Sequence, residues 1–411
     1  MPATNKQKII NDPVYGFITI PDALVFDVIE HPWFQRLRRI KQLGLTDYTY
    51  PSAQHTRFQH ALGAMHLMGQ AVVVLRAKGI DITDDEAQGA NLAILLHDIG
   101  HGPFSHTLEQ TIVRDLDHED LSKLFIAGLN RQFGNGLSLA YAIYNGTYSK
   151  KFLHQLVSSQ LDMDRLDYLA RDSFFTGVAE GVISYDRIIK MLTVVNDELV
   201  VEGKGIYSIE KFLISRRLMY WQVYLHKTVI AADLLLVNLL RRAKFLGEKG
   251  VPLFATPPFD SFLRNNPSKH DFETDPQWLE RFALLDDFDV FTSVKVWAGH
   301  ADPILSDLCR NMVNRSLSRV EMQTQPFDPD YVEQIRRETI SLYNLSPEDA
   351  GYYFTCDKVE NKAYNPRHER IMIKGRSNDL TDISEASEQL NNAVMPTTVS
   401  KYVLCYPKEV Q

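Results

Sequence analysis

The stretch Leu92-Ala93-Ile94-Leu95-Leu96-His97-Asp98-Ile99-Gly100-His101-Gly102-Pro103 decides how this chain is read. Five consecutive aliphatic residues predict a buried helix that runs into His97 and Asp98. Glycine takes the left-handed cap conformation that other residues resist, so the helix is expected to stop at Gly100. Two metal-capable side chains then stand at a fixed helix end. Adjacent helical residues point about 100° apart, so both can reach one ion beside the terminus. The other ligands must come from elsewhere in the chain.

Candidates lie on both sides. Upstream, Arg57-Phe58-Gln59-His60 opens an apolar segment; downstream, Asp162-Met163-Asp164-Arg165-Leu166-Asp167-Tyr168 opens a helical stretch running to Arg171-Asp172. The order His60, His97-Asp98, Asp164 offers imidazole and carboxylate donors, which suit a divalent ion acting as Lewis acid and water activator. A single histidine is more often a cap or packing residue, and Asp167 with Arg171 alone reads as an exposed pair worth a few tenths of a kcal/mol. Against that bland reading, seven of the thirteen histidines fall between His55 and His118. Imidazole titrates near neutral pH, so His101, His106 and His118 are the candidate acid/base and phosphate-contacting groups, with Asp164 counted as catalytic as well as a ligand. Asp164, Tyr168 and Asp172 recur at i, i+4 and i+8 and form one helical stripe.

At 411 residues the chain can bury a large core. A net charge of −8 argues against wholesale nucleic-acid binding, but an anionic small molecule needs only a few local cations, for which Arg57, Arg165, Arg216, Arg217 and Lys227 are available. Cys309, Cys356 and Cys405 are scattered and suggest neither a disulfide framework nor a thiolate metal site. The first residues lack a secretory core and no apolar run reaches the roughly 20 residues of a membrane span, so a cytoplasmic protein without membrane partners is expected.

Helical spacing dominates: apolar returns at three and four predict helices over 34–43, 60–78, 85–97, 108–133, 138–144 and 152–172, and a long one from Ile209 to Leu246. Gly16 to Pro21 reads as a short strand, with Asp22 capping a helix after it. Leu199 to Tyr207 reads as a hairpin turning at its glycines. Composition shifts after Gly247-Glu248-Lys249-Gly250-Val251-Pro252, which divides the chain into residues 1–247 and a smaller α+β lobe, 248–411. In that lobe Arg370 to Ile373 and Ser400 to Leu404 read as strands, separated by a surface loop or exposed helix over 377–389.

Together with Ile10-Asn11-Asp12-Pro13, Phe34-Gln35-Arg36-Leu37-Arg38-Arg39-Ile40-Lys41-Gln42-Leu43-Gly44 and Gly102-Pro103-Phe104-Ser105-His106, these motifs resemble the HD-domain deoxynucleoside triphosphate triphosphohydrolases of the SAM-and-HD-domain and dGTPase type over roughly the first 245 residues. Only a few residues precede Asn11, so no SAM domain is expected ahead of the match. The resemblance implies a mainly α fold with an HD helical core and short β-hairpins. It implies metal held by His60, His97, Asp98 and Asp164, the metal being Mg, Mn, Fe, Ni or Zn, and hydrolysis of a dNTP to deoxynucleoside and inorganic triphosphate. By the same resemblance Arg57, Arg165 and Arg216 contact phosphates, Gln42, Leu43, Tyr168 and Asp172 close round the deoxyribose, and Tyr224 stands near the base. Oligomeric relatives bind activator nucleotides between subunits, at positions matched here by Lys8, Asn11, Glu30, Gln35, Arg38, His226 and Lys227. Thr193, Glu202 and Gln222 replace basic residues of that pocket, and Glu30 replaces a guanine-reading aspartate, so a different activator or constitutive activity stays open, as does a dimer or tetramer. The rival readings are another HD phosphohydrolase, acting on a monophosphate or signalling nucleotide, and a non-catalytic nucleotide or nucleic-acid binder.

Overall fold

The computed structural model of the chain describes residues 8–104, 111–113, 116–361, 364, 369–377, 379–387 and 399–410. It is mainly helical, with three small sheets at the periphery. An antiparallel hairpin, Ile9–Asp12 with Gly16–Thr19, opens the described chain. Asp22 then caps Ala23–Glu30, its carboxylate accepting from the Val25 amide at 3.0 Å.

The core is built on the helix Arg57–Ala77, which packs against Asp84–Leu96 on one side and Met163–Thr176 on another. Thr56 and Gln59 form a capping box at its start, which fixes where Arg57 and His60 emerge. This helix is 21 residues long and apolar enough by composition to cross a membrane. Its apolar surface is instead two-thirds buried against neighbouring helices, so that surface is the protein's own core.

Several helices differ from their sequence expectation, each for a local reason. The helix before His97 ends at Leu96, and Gly100 is absent from the positive-φ residues. Space, not handedness, requires glycine there: a Cβ on Gly100 would lie 2.3 Å from the His118 carbonyl and 2.4 Å from the Ser122 amide. The left-handed residue comes later, at Phe104, with φ 51°. The stretch 152–172 is two helices, Lys151–Val157 and Met163–Thr176, because Asp162 caps the second by accepting from the Arg165 amide at 2.7 Å. Of 108–133, the described helix is His118–Gln132. The long helix expected over 209–246 is Ile206–Met219, a π-helical turn at Tyr220–Tyr224, and Lys227–Glu248, with a 57° bend. His226 breaks it: its backbone is extended and its ring nitrogen caps the Thr228 amide at 3.2 Å. The hairpin is Leu192–Val195 with Glu198–Glu202, turning at Asn196-Asp197, both at positive φ, and not at the glycines.

The C-terminal segments return onto this core. Met372–Lys374 pairs in parallel with Glu198–Glu202, and Leu380–Asp382 extends that sheet. Residues 380–386, expected as a surface loop or exposed helix, are a strand and a short helix that bury Ile383. The third sheet orders Arg319–Gln323, Val399–Tyr406 and Thr355–Asn361. Two buried side chains tie the loop after His97 to the segment at Leu285. Arg36 donates to the carbonyls of Ile99 at 2.7 Å, His101 at 3.0 Å and Leu285 at 3.2 Å. Asp287 accepts from the amides of Lys41 at 2.9 Å and Phe104 at 3.1 Å.

Candidate metal centre and active site

Helix Arg57–Ala77 supplies His60, the end of Asp84–Leu96 supplies His97, and the first turn of Met163–Thr176 supplies Asp164. One donor atom from each lies within 4.8 Å of the other two. His60 Nε2 and His97 Nε2 are 3.4 Å apart, and they stand 3.1 and 3.4 Å from Asp164 Oδ1. The opposite ring nitrogens are occupied: His60 Nδ1 donates to Asp167 at 2.8 Å and His97 Nδ1 to the Ile94 carbonyl at 2.6 Å. Carboxylate and carbonyl oxygens only accept, so each Nδ1 carries the proton and each Nε2 turns a lone pair inward. Three inward acceptors around one point form a donor set that fits a divalent ion. A proton competes with a cation for the His60 lone pair. Burial, the largest effect on the His60 imidazole, pushes it down, yet hydrogen bonds to Asp164 and Asp167 carry it up to about 10, so the site draws positive charge. Burial raises Asp164, but the neighbouring His97 and His60 outweigh it and hold the carboxyl well below its usual range.

Asp98 borders this trio, with Oδ1 3.3 Å from His97 Nε2 and Oδ2 3.8 Å from His60 Nε2. Arg57 donates to it. His101 Nε2 lies 3.4 Å from Asp98 Oδ1, and the His101 ring stacks on His118 at 3.9 Å. Burial and then the Arg57 cation push His101 down to about 3, which leaves it neutral. A cavity of about 420 Å³ opens beside these groups, lined by His97, Asp98, His118, Asp164 and Arg165, with Lys123, Tyr144 and His154 across it. A cavity of about 510 Å³, lined by Met65, His66, Gln70 and Lys190, touches none of the trio. Chemistry, not size, selects the first.

Two turns along its helix from Asp164, Asp172 is buried. It accepts from His55 Nε2 at 2.7 Å and from the Tyr224 hydroxyl at 2.7 Å. The Tyr168 ring lies 6.3 Å from that of Tyr224, and the Gln42 backbone N–H donates to the His55 carbonyl at 3.0 Å.

Against known proteins, residues 57–172 match the HD domain family model and 183–244 the model of the HD associated region. A solved phosphohydrolase from Bacteroides thetaiotaomicron is 49% identical, with a TM-score of 0.94 over 98% of this chain and 100% of that one. This chain belongs to the HD-domain phosphohydrolases. The Bacillus subtilis protein YwfO is 33% identical over 423 residues, 99% of this chain and 93% of its own. A Dictyostelium discoideum protein named deoxynucleoside triphosphate triphosphohydrolase SAMHD1 homolog is 26% identical over 406 residues, 90% of this chain and 78% of its own.

The sequence candidates fall into several places. His60, His97, Asp98, Asp164, Arg57, His101 and His118 converge at the centre; Gln42, Tyr168, Asp172 and Tyr224 gather on one side of it. Leu43 packs partly buried against the core, and Arg216 donates to Gln160 at 3.1 Å. Arg165 ion-pairs with Asp162. His106 lies outside the described residues. The activator candidates are peripheral. Asn11, Glu30, Arg38 and Lys227 are exposed, Lys8 sits 4.1 Å over the Phe26 ring, Gln35 accepts from Arg38 at 2.8 Å, and His226 is a helix cap. Sequence reasoning passed over His55 and Asp167. His55 stands within the histidine cluster but directly before the recognised motif, and Asp167 with Arg171 reads from sequence as an exposed pair, whereas His55 and Asp167 are both buried.

Proposed function

We propose that this HD phosphohydrolase is a metal-dependent dNTP triphosphohydrolase that releases deoxynucleoside and inorganic triphosphate. The observation that carries the reading is the single helix Met163–Thr176, with Asp164 in the donor trio and Asp172 in a buried polar cluster two turns on. Eight residues of helix rise about 12 Å, the span needed to take a phosphate at one end and a sugar at the other. The named activity of the Dictyostelium relative agrees with it.

His60, His97 and Asp164, with Asp98 as fourth ligand, would hold the divalent ion, which when bound supplies Lewis acidity at the phosphoryl group. Arg57 and Arg165 sit at its rim and neutralise phosphate charge, joined by Arg216 from its own helix. His101 is kept neutral by burial and by Arg57, which makes it a weak base and suits it to hydrogen-bonding a phosphate oxygen or the attacking water rather than to holding a proton. His118, stacked on it, and His106 are the phosphate-contacting and proton-donating partners. Asp172 and Tyr168 receive the deoxyribose, with Gln42 and Leu43 closing over it and Tyr224 toward the base. Gln42 Oε1 is buried without a hydrogen-bond partner among the described residues, as suits a group reserved for ligand. Product chromatography on each dNTP, alone and in pairs, with Mg, Mn, Fe, Ni or Zn added, tests this. Deoxynucleoside appearing with triphosphate is expected. Release of a deoxynucleoside monophosphate or of orthophosphate points to the rival phosphohydrolase reading, and salt-sensitive retention of nucleic acid without turnover to a binding protein.

A further inference from the structure

Behind the donor trio runs a second line of buried charges that the hydrolysis itself does not use. Asp167, which accepts the His60 Nδ1–H hydrogen bond at 2.8 Å, also accepts from Arg171 Nε at 2.9 Å and Nη2 at 3.0 Å. Arg171 Nη1 reaches Asp12 Oδ2 at 2.8 Å, across 159 residues of sequence. Asp12 ends the first strand of the N-terminal hairpin, and its other oxygen accepts the Val14 and Tyr15 amides at 2.9 and 3.0 Å. The side chains of His60, Asp167 and Arg171 have no exposed surface, and that of Asp12 only 5%. The core has been shaped for this row. A Cβ on Gly63 would fall 1.9 Å from Asp167 Oδ1 and 2.2 Å from Arg171 Nη2.

Burying three charges costs several kcal/mol per ion, and well-packed apolar residues often stabilise as much, so stability alone is a weak reason for the row. Its geometry suggests another. A carboxylate accepting one imidazole N–H can still rotate, whereas a two-toothed guanidinium fixes its plane, and Asp12 fixes the guanidinium. The row also holds two carboxylates against one guanidinium, and the excess negative charge makes His60 a better donor.

We propose that Asp12, Arg171 and Asp167 form a strut that orients His60 toward the metal, which makes the N-terminal hairpin a working part of the metal centre and Asp12 and Arg171 positioning residues. This rests on the metal reading of His60, His97 and Asp164. The test uses the full chain and the metal alone, Mn²⁺ with a parallel Zn²⁺ series, titrated calorimetrically without nucleotide. Asp12→Asn, with its fold checked by circular dichroism, is expected to weaken metal binding by about tenfold or more. Arg171→Lys keeps the charge but loses the fork and should do the same; it carries the test if Asp12→Asn does not fold. Because the strut acts as a unit, the double variant should be no weaker than the worse single one. Lys78→Ala, which removes a surface ion pair with Glu202, should leave affinity unchanged. Folded Asp12→Asn and Arg171→Lys that bind within about twofold of wild type, the scatter of uncoupled sites, overturn the strut. A wild-type protein that binds neither metal overturns the metal reading instead.

Discussion

At the scale of single residues, His60 uses both ring nitrogens, one toward the donor trio and one toward Asp167. His97 does the same with a backbone carbonyl behind it. His97→Ala would remove one of the proposed ligands, so bound metal after dialysis and turnover should both fall by about 100-fold or more, and full activity at unchanged metal content would count against the assignment. On the sugar side, Asp172→Asn removes a charged acceptor worth about 1.5–3 kcal/mol, so kcat/KM for a dNTP should drop roughly 10- to 100-fold with metal content unaltered. Wild type should discriminate strongly against ribonucleotides in the same assay; equal rates would argue against a sugar pocket at Tyr168 and Asp172. The histidines and aspartates of the centre were legible because motif order and residue chemistry announce them. His55, Asp167 and Asp12 were not, because their roles arise from contacts across 117, 107 and 159 residues.

At the scale of elements, the loop after His97 is held by anchors distant in sequence rather than by its own conformation. Arg36 joins two of its carbonyls, those of Ile99 and His101, to that of Leu285 through one buried guanidinium, and Asp287 receives the amide of left-handed Phe104. Asp287→Ala would strand two backbone amides, each costing about 1–3 kcal/mol, and thermal unfolding should register a loss of that order. Gly100→Ala should destabilise by about 1–3 kcal/mol through overpacking against His118 and Ser122, and should slow turnover by displacing His101. A thermal midpoint and rate equal to wild type would mean that the loop absorbs the methyl freely. Element type and the main helices were readable from periodicity. The breaks at Asp162 and His226 were harder, because a side chain that caps the next helix interrupts the helix while the apolar pattern runs on through it.

At the scale of the molecule, the chain after Pro252 closes back on the HD associated region through the parallel pairing of Val201 with Ile373. A parallel partner 172 residues away has no local signature, so the tail's strands were visible in the sequence and their partner was not. The exposed Lys227 and the cap His226 stand on the far side of a sharp bend from Tyr224, apart from the donor trio. If they serve an activator nucleotide between subunits, Lys227→Ala should lose the rise in rate and in oligomer size on adding a second dNTP, while metal content holds. Identical titrations for wild type and variant would remove the regulatory site and leave the catalytic one standing. In the proposed reaction water attacks the α-phosphorus beside His60, His97 and Asp164. The most direct test is turnover of a dNTP in ¹⁸O-enriched water followed by phosphorus NMR. One ¹⁸O is expected in the inorganic triphosphate, at a terminal phosphorus, and none in the deoxynucleoside. Label in a deoxynucleoside monophosphate, in the deoxynucleoside or in orthophosphate would contradict it.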